Sequence, residues 1–182
     1  MRECGTCTLC CRLLPIKALG KPANTRCEHQ RHSTGCKIYS TRPTECRLWS
    51  CRWLVENDTA DLRRPDRSRY VIDLMPDFII LQLPGEPDRQ IEVVQIWVDP
   101  NDRDAWRDPP LLDYLKRRAQ EGIAGLIRYG SKEGITVFAP AMAADGQWHV
   151  QQGNSLDREH SPAEKRDAVQ AARAARSPEW QT

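Results

Sequence analysis

The eight cysteines of this chain all lie within its first 51 residues, and their type and spacing could do chemistry. They open with a C-x-x-C-x-x-C-C block and continue at irregular intervals: Cys4, Cys7, Cys10, Cys11, Cys27, Cys36, Cys46 and Cys51. A C-x-x-C turn directs two sulfurs at one ion, and thiolate ligands select zinc, iron–sulfur clusters or Cu(I) over hard ions. The pattern therefore predicts a metal–thiolate site.

Disulfide bonds are the competing interpretation of so many cysteines. They form in oxidising compartments, and Arg12, Pro15 and Lys17 interrupt the stretch that would have to serve as the apolar core of a signal peptide. The vicinal pair Cys10 and Cys11 cannot close a disulfide on itself without strain. We therefore expect a cytoplasmic metal-binding protein, and the absence of a run of about twenty apolar residues predicts no membrane span.

The spacing also predicts more than one metal ion. Cys10 and Cys11 are adjacent and point in different directions, so they serve different ions or one of them bridges two. Zinc takes four thiolates in a tetrahedral site, so eight thiolates could hold two ions, or more with bridging sulfurs. Iron or an iron–sulfur cluster is the alternative, because C-x-x-C-x-x-C also begins a ferredoxin ligand run, although the cysteine and proline that continue it are missing.

The charge distribution supports a metal site. Residues 1–52 contain ten Lys or Arg against three Asp or Glu, a formal +7, whereas the rest of the chain has seventeen against twenty-two, a formal −5. Eight thiolates around two divalent ions carry a net −4, which offsets most of that positive charge. We interpret five arginines as counter-charges that lower cysteine pKa values: Arg12, Arg26, Arg42, Arg47 and Arg52. A nucleic-acid or protein interaction module is the further alternative for a basic segment.

A longer signature joins these motifs: the C-x-x-C-x-x-C-C block, a later single cysteine, and G-C-x-I-Y-x-x-R-P-x-x-C-R over residues 35–47. It resembles the YkgJ-type cysteine-cluster family, whose CxxCxxCC domain is described as zinc- or iron-chelating. The resemblance covers about residues 4–52 and implies that all eight cysteines are metal ligands. A similar cluster occurs in flagellin lysine methylases, where the implied cofactor is iron–sulfur. This chain shows no clear S-adenosylmethionine fingerprint, so the methylase activity is not carried over. An iron–sulfur or iron-dependent enzyme that uses the cysteine cluster stays the alternative to a zinc-binding protein.

A helix is expected to position the last cysteines. The pattern over residues 43–56 predicts one amphipathic helix with Cys46, Trp49 and Trp53 on one face. Cys46 and Cys51 are five residues apart and would diverge by about 140° on a regular helix. They should then bind different ions, unless one of them lies at a helix end. The tryptophans are expected to shield the metal cluster and pack in the core.

Two further groups of polar residues are weaker candidates for metal binding. His29 and His32 lie close to Cys27 in the sequence, and histidine is a common zinc ligand, but eight thiolates do not require them. Asp99, Asp102 and Asp104 could bind Mg²⁺ or Ca²⁺, but they do not form an EF-hand loop. Turn formation explains these aspartates better.

The chain is predicted to be α+β. An N-terminal cysteine-rich metal-cluster module with a short helix spans residues 1–56. A small, mostly antiparallel sheet with one or two helices spans 70–151, and a helical or disordered tail spans 152–182. Strands are predicted at 70–74, 78–83, 91–98, 124–129, 135–139 and 147–151, and helices at 110–121 and 161–176. Residues 13–16 are expected to be extended, and 57–69 to form a charged boundary. Metal ions are the predicted partners, with a protein or nucleic acid as alternatives.

Overall fold

The computed structural model describes residues 2–31, 34–82, 85, 87–152 and 161–174. The helices within these ranges are α1 (Leu9–Leu13), α2 (Thr44–Leu48), α3 (Arg52–Val55), α4 (Pro65–Ser68), α5 (Pro109–Gln120) and α6 (Pro162–Ala174). The strands are β1 (Gln30–Arg31), β2 (Gly35–Cys36), β3 (Tyr70–Ile72), β4 (Asp77–Leu81), β5 (Arg89–Val98), β6 (Ala124–Arg128), β7 (Gly134–Phe138) and β8 (His149–Gln152). None of the helices in the described ranges has the length and apolarity needed to cross a membrane.

The main sheet is built around β5, its longest strand. On one side of β5, β3 and β4 pair antiparallel with successive parts of the strand. On the other side β6 pairs parallel, and β7 and β8 follow antiparallel. A parallel pair needs a crossover connection, and α5 provides it between β5 and β6. The prediction of an α+β chain with a mostly antiparallel sheet is confirmed.

The two faces of the sheet have different partners. Side chains alternate between the faces along a strand. Val94 and Ile96 of β5 pack with Leu111 and Leu115 of α5 in the largest hydrophobic cluster of the described residues. On the opposite face, Trp97 packs against the cysteine-rich segment. The sheet therefore provides the surface on which the cysteines are placed.

The strands and α5 lie close to their predicted positions. Asp108 and Pro109 begin α5, and proline is favoured at the first helical position because its missing N–H has no helical partner there. Gly122 follows the helix with φ of +71°, a left-handed conformation that glycine adopts without strain. Of the predicted strand at 78–83, Leu83 lies outside the described residues.

The tail helix α6 is held against the sheet by both packing and charge. Ala168 and Val169 pack on Phe78 of β4. Arg173 forms an ion pair with the buried Glu92 of β5, with Nε 2.8 Å from Oε2. The helix predicted from residue 161 is therefore present as α6, although residues 153–160 and 175–182 lie outside the described part of the chain.

The structure corrects two predictions in the cysteine-rich segment. The single helix expected over 43–56 is wrong: α2 and α3 are separate, with Trp49 and Cys51 in extended conformations between them. The physical reason is a tertiary contact, because Cys51 forms an isolated β-bridge with Asp73 of the sheet. Leu13, which was expected to be extended, belongs instead to α1.

Asp99 fixes the cysteine-rich segment to the end of β5. Its side chain is fully buried and forms ion pairs with Arg12 of α1 and with Arg69. It also accepts a hydrogen bond from the backbone N–H of Asn101 at 3.1 Å, which forms the expected turn. Asp104 in the same loop is exposed and pairs with an exposed arginine. Asp99 is thus a structural residue that binds two arginines.

We predict that Asp99→Asn lowers the free energy of unfolding by about 2 kcal/mol, because the fully buried side chain loses the charge that pairs with the partly exposed Arg12 and Arg69. Urea denaturation followed by circular dichroism measures this change. Asp104→Asn is the matched control in the same loop and should shift the free energy by no more than about 0.5 kcal/mol. Equal stability of the two variants would contradict the assignment.

Candidate metal centre

All eight cysteines line one open cavity of about 1300 Å³, which lies between the cysteine-rich segment and the sheet. They come from separate parts of residues 4–51, and the fold brings them to the same space. The sheet contributes Gln95 and Trp97 of β5 and Arg128 of β6 to the cavity wall. All eight cysteines are free thiols.

The first four cysteines are placed by a turn and a short helix. The backbone N–H of Cys7 donates to the carbonyl of Cys4 at 2.9 Å, and Gly5 allows this turn with φ of +53°. Cys10 and Cys11 then lie on α1, where successive side chains are rotated by about 100°. A hydrogen bond also joins the two thiols, so their sulfurs are close together although the side chains leave the helix at different angles.

Four of the cysteines belong to one hydrophobic cluster against the sheet. Cys7 and Cys51 are buried in it together with Leu9, Leu13, Val71 and Trp97, and Cys4 and Cys10 pack against the same cluster. Burial, and to a smaller extent the charge of Cys7, raises the pKa of Cys51 to about 11. We call Cys4, Cys7, Cys10 and Cys51 the sheet-side group.

The other four cysteines lie on the outer side of α1. The backbone N–H of Cys27 donates to the carbonyl of Cys11 at 3.2 Å. Cys36 of β2 is paired with Gln30 of β1, whose N–H donates to the carbonyl of Cys27 at 3.0 Å. After burial, the main causes of the raised pKa of Cys46 are the charges of Cys11, Cys27 and Cys36. We call Cys11, Cys27, Cys36 and Cys46 the loop-side group.

The two groups adjoin at the vicinal pair. A hydrogen bond with Cys7 and then burial raise the pKa of Cys4, and a hydrogen bond with Cys11 and then burial raise the pKa of Cys10. The charge of Cys11 adds to both shifts, so it acts on members of the sheet-side group as well. A hydrogen bond with Cys4 lowers the pKa of Cys7 to about 6, and a hydrogen bond with Cys10 lowers the pKa of Cys11 to about 7. One thiol of each pair is therefore readily deprotonated, and the thiolate is the form that binds a metal ion.

Asp73 holds the last turn of the cysteine-rich segment against the sheet. Its buried Oδ1 accepts hydrogen bonds from Trp49 Nε1 and from the backbone N–H of Met75, both at 2.8 Å. Its backbone carbonyl accepts a hydrogen bond from Arg52 Nε at 2.9 Å. Together with the bridge to Cys51, these contacts keep α2 and α3 apart. Cys46 and Cys51 consequently belong to different groups.

Lys21, which lines a smaller pocket together with Cys27, is a charged residue that sequence reasoning missed. It is only 8% exposed, and its Nζ donates to the carbonyl oxygens of Arg12, Leu14 and Pro22. The charges of Cys27 and Cys11 act on its ammonium group and oppose the lowering of its pKa by burial. The sequence carried no clear signal for this role, because a lysine between glycine and proline resembles an ordinary turn residue.

Two of the arginines expected to balance the thiolates bind carboxylates. Arg12 pairs with Asp99, and Arg52 Nη1 lies 2.7 Å from Oε2 of Glu56. Lys21 is therefore better placed than these two side chains to balance thiolate charge in the loop-side group.

The histidine candidates have different outcomes. His29 lines the cavity, and its Nε2 lies 3.5 Å from Oε1 of Glu28. His32 lies outside the described residues.

Trp49 and Trp53 both line the cavity, which agrees with their expected shielding role, and Trp53 Nε1 donates to the carbonyl of Leu62 at 3.0 Å.

The donor set fits a soft metal, although the thiols have not converged on an ion. Among the described residues, no group of three or more His, Cys, Asp or Glu stands in an arrangement that would already hold a metal. The chemistry of the site is nevertheless specific, because eight free thiols line one cavity. Thiolates at this density suit zinc or iron rather than hard cations.

Comparison with known proteins identifies no relative: no family model, curated protein or solved structure matches the chain. Membership of the YkgJ-type family, the ligand roles of the cysteines, and the division into units at 1–56, 70–151 and 152–182 therefore stay predictions.

We predict that Asp73→Ala lowers the free energy of unfolding by about 2 kcal/mol, because the partly buried indole N–H of Trp49 and the backbone N–H of Met75 lose their acceptor. Asp73→Asn is the matched variant. It keeps an acceptor oxygen and removes a carboxyl group whose pKa is raised by burial. Asp73→Asn should therefore lower the free energy of unfolding by clearly less than Asp73→Ala does. Urea denaturation monitored by tryptophan fluorescence measures both. An alanine variant as stable as the wild-type protein would refute this role.

Proposed function

We propose that this chain is a metal-binding protein that holds zinc, more than one ion per molecule, through its eight cysteine thiolates. The observation that carries the proposal is that cysteines spread over residues 4–51 all line one cavity as free thiols. The resemblance of residues 4–52 to the YkgJ-type cysteine-cluster family supports the same ligand set. No enzymatic reaction is assigned.

A structural role for the metal follows from how little the cysteine-rich segment buries. Small segments need disulfides, metal ions or a partner surface, because they cannot bury enough apolar area by themselves. Here Tyr39 and Leu48 are exposed, and the buried residues in the cluster against the sheet include two of the cysteines themselves. Bound zinc would supply cross-links between stretches that are far apart in the sequence, so metal binding would contribute to folding.

Iron, as an ion or an iron–sulfur cluster, is the second candidate. The observation in its favour is the openness of the cavity, which continues from the cysteines to Gln95 and Arg128 on the sheet. A small molecule could therefore reach the thiols, as redox chemistry or substrate activation would require. A purely structural zinc site has no need of such access.

The test is elemental analysis together with a visible spectrum, on full-length protein purified without oxygen and without added metal. We expect a colourless protein with at least two zinc ions per chain. Removal of the metal with a chelator should shift the fluorescence of Trp49 and Trp53, which line the same cavity, and should lower the melting temperature by several degrees. Readdition of zinc should restore both signals.

Two results would change the assignment. Stoichiometric iron with charge-transfer bands in the visible range would replace zinc by the second candidate. A protein without metal, whose melting temperature is the same with and without added zinc, would refute the metal-binding proposal. Ser50→Ala is a suitable control, because Ser50 lines the cavity next to Cys51 but has no thiol; its metal content should equal that of the wild-type protein.

A further inference from the structure

We infer that the eight cysteines form two separate four-thiolate sites, with Cys4, Cys7, Cys10 and Cys51 in one and Cys11, Cys27, Cys36 and Cys46 in the other. This inference rests on the proposed metal-binding function and assigns the ligands of each ion. The sequence predicted different ions for Cys46 and Cys51 unless one of them lies at a helix end, and it did not show which of the other cysteines accompany them.

The first argument is the shared packing of the sheet-side group. Its four members contact one hydrophobic cluster that includes Val71 of β3 and Trp97 of β5. None of the loop-side cysteines belongs to that cluster as the described residues define it. An ion held by the sheet-side group would therefore be shielded on one side by the sheet.

The second argument is the backbone connection within the loop-side group. Cys11 and Cys27 are joined by a main-chain hydrogen bond, and Cys27 and Cys36 are linked through Gln30. The backbone N–H of Ala18, seven residues after Cys11, donates to Oε2 of Glu45, the residue before Cys46, at 3.5 Å. These contacts bring together four cysteines from different stretches of the sequence.

The third argument concerns the two places where neighbouring cysteines separate. Cys10 packs against the hydrophobic cluster on the sheet, whereas Cys11, its neighbour on α1, lies outside that cluster and its carbonyl accepts a hydrogen bond from the N–H of Cys27. Cys46 lies on α2, whereas Cys51 follows the break and bridges to Asp73 on the sheet. Each pair thus contributes one ligand to each group, and each group receives four thiolates, which is the complement of a structural zinc ion.

The experiment compares serine variants of the full-length protein loaded with zinc and then dialysed against a weak chelator. The wild-type protein should retain two zinc ions. Cys4→Ser and Cys36→Ser should each retain one. The double variant Cys4→Ser/Cys51→Ser, within one group, should also retain one. The double variant Cys4→Ser/Cys36→Ser, across the groups, should retain none. Cobalt substitution provides a second readout, since the visible absorption should fall by half in each single variant.

The outcomes separate this inference from the proposal on which it rests. Loss of both ions in Cys36→Ser, whose thiol lies on the outer strand β2, would indicate one shared cluster and overturn the division. Retention of one ion by the double variant across the groups, or of none by the double variant within one group, would also overturn it. A wild-type protein that retains no zinc would instead refute the metal-binding function itself. If Cys4→Ser does not fold, as judged by circular dichroism, Cys36→Ser and Cys36→Ser/Cys46→Ser decide the question, with one ion expected in each.

Discussion

The contact between Asp73 and the chain at residues 49–52 is the constraint on which the arrangement of the thiols depends. A continuous helix would satisfy its own backbone hydrogen bonds, and its amphipathic pattern favours that solution. Asp73 of the sheet offers a competing set of hydrogen bonds. Its buried carboxylate accepts from the indole of Trp49, its carbonyl accepts from the side chain of Arg52, and its backbone forms a β-bridge with Cys51. Tertiary bonds to a rigid partner override helical propensity, which is worth less than about 1 kcal/mol per residue. The break that results sends the last two cysteines to opposite groups.

The electrostatics of the cysteines explain part of the positive charge of residues 1–52. Thiols that are close together raise one another's pKa values, so their deprotonation requires hydrogen bonds or cations nearby. The structure supplies hydrogen bonds within the pairs Cys4–Cys7 and Cys10–Cys11 and a buried ammonium group from Lys21. Other basic residues attach the cysteine-rich segment to the sheet instead: Arg12 joins α1 to the end of β5 through its ion pair with Asp99. The excess of positive charge in the sequence thus has two origins, balance of the thiolates and attachment to an acidic neighbour, and composition by itself does not distinguish them.

Local patterns predicted most of the sheet, and long-range contacts account for what they missed. The strands β3 to β7 were predictable because they combine apolar residues with turn signals, and α5 because Pro109 and Gly122 mark its ends. The cysteines were predictable as candidate ligands from spacing. The short helix α1, the break at Cys51 and the role of Lys21 were not, because each depends on groups from other parts of the chain. Asp99 was correctly read as a turn residue, but its partner Arg12 lies too far away in the sequence for any local pattern to indicate.

The two groups of cysteines depend on packing to different degrees, and this difference determines what a metal ion would contribute to each. The sheet-side group lies in a cluster with Leu9, Leu13 and Trp97, so hydrophobic burial already holds its members together. The loop-side group has one buried member, Cys27, and lies next to short strands and exposed side chains. Hydrophobic burial stabilises in proportion to the apolar area removed from water, so it contributes little on the loop side. A metal ion would therefore reinforce existing packing in the first group, whereas in the second it would be the principal source of order.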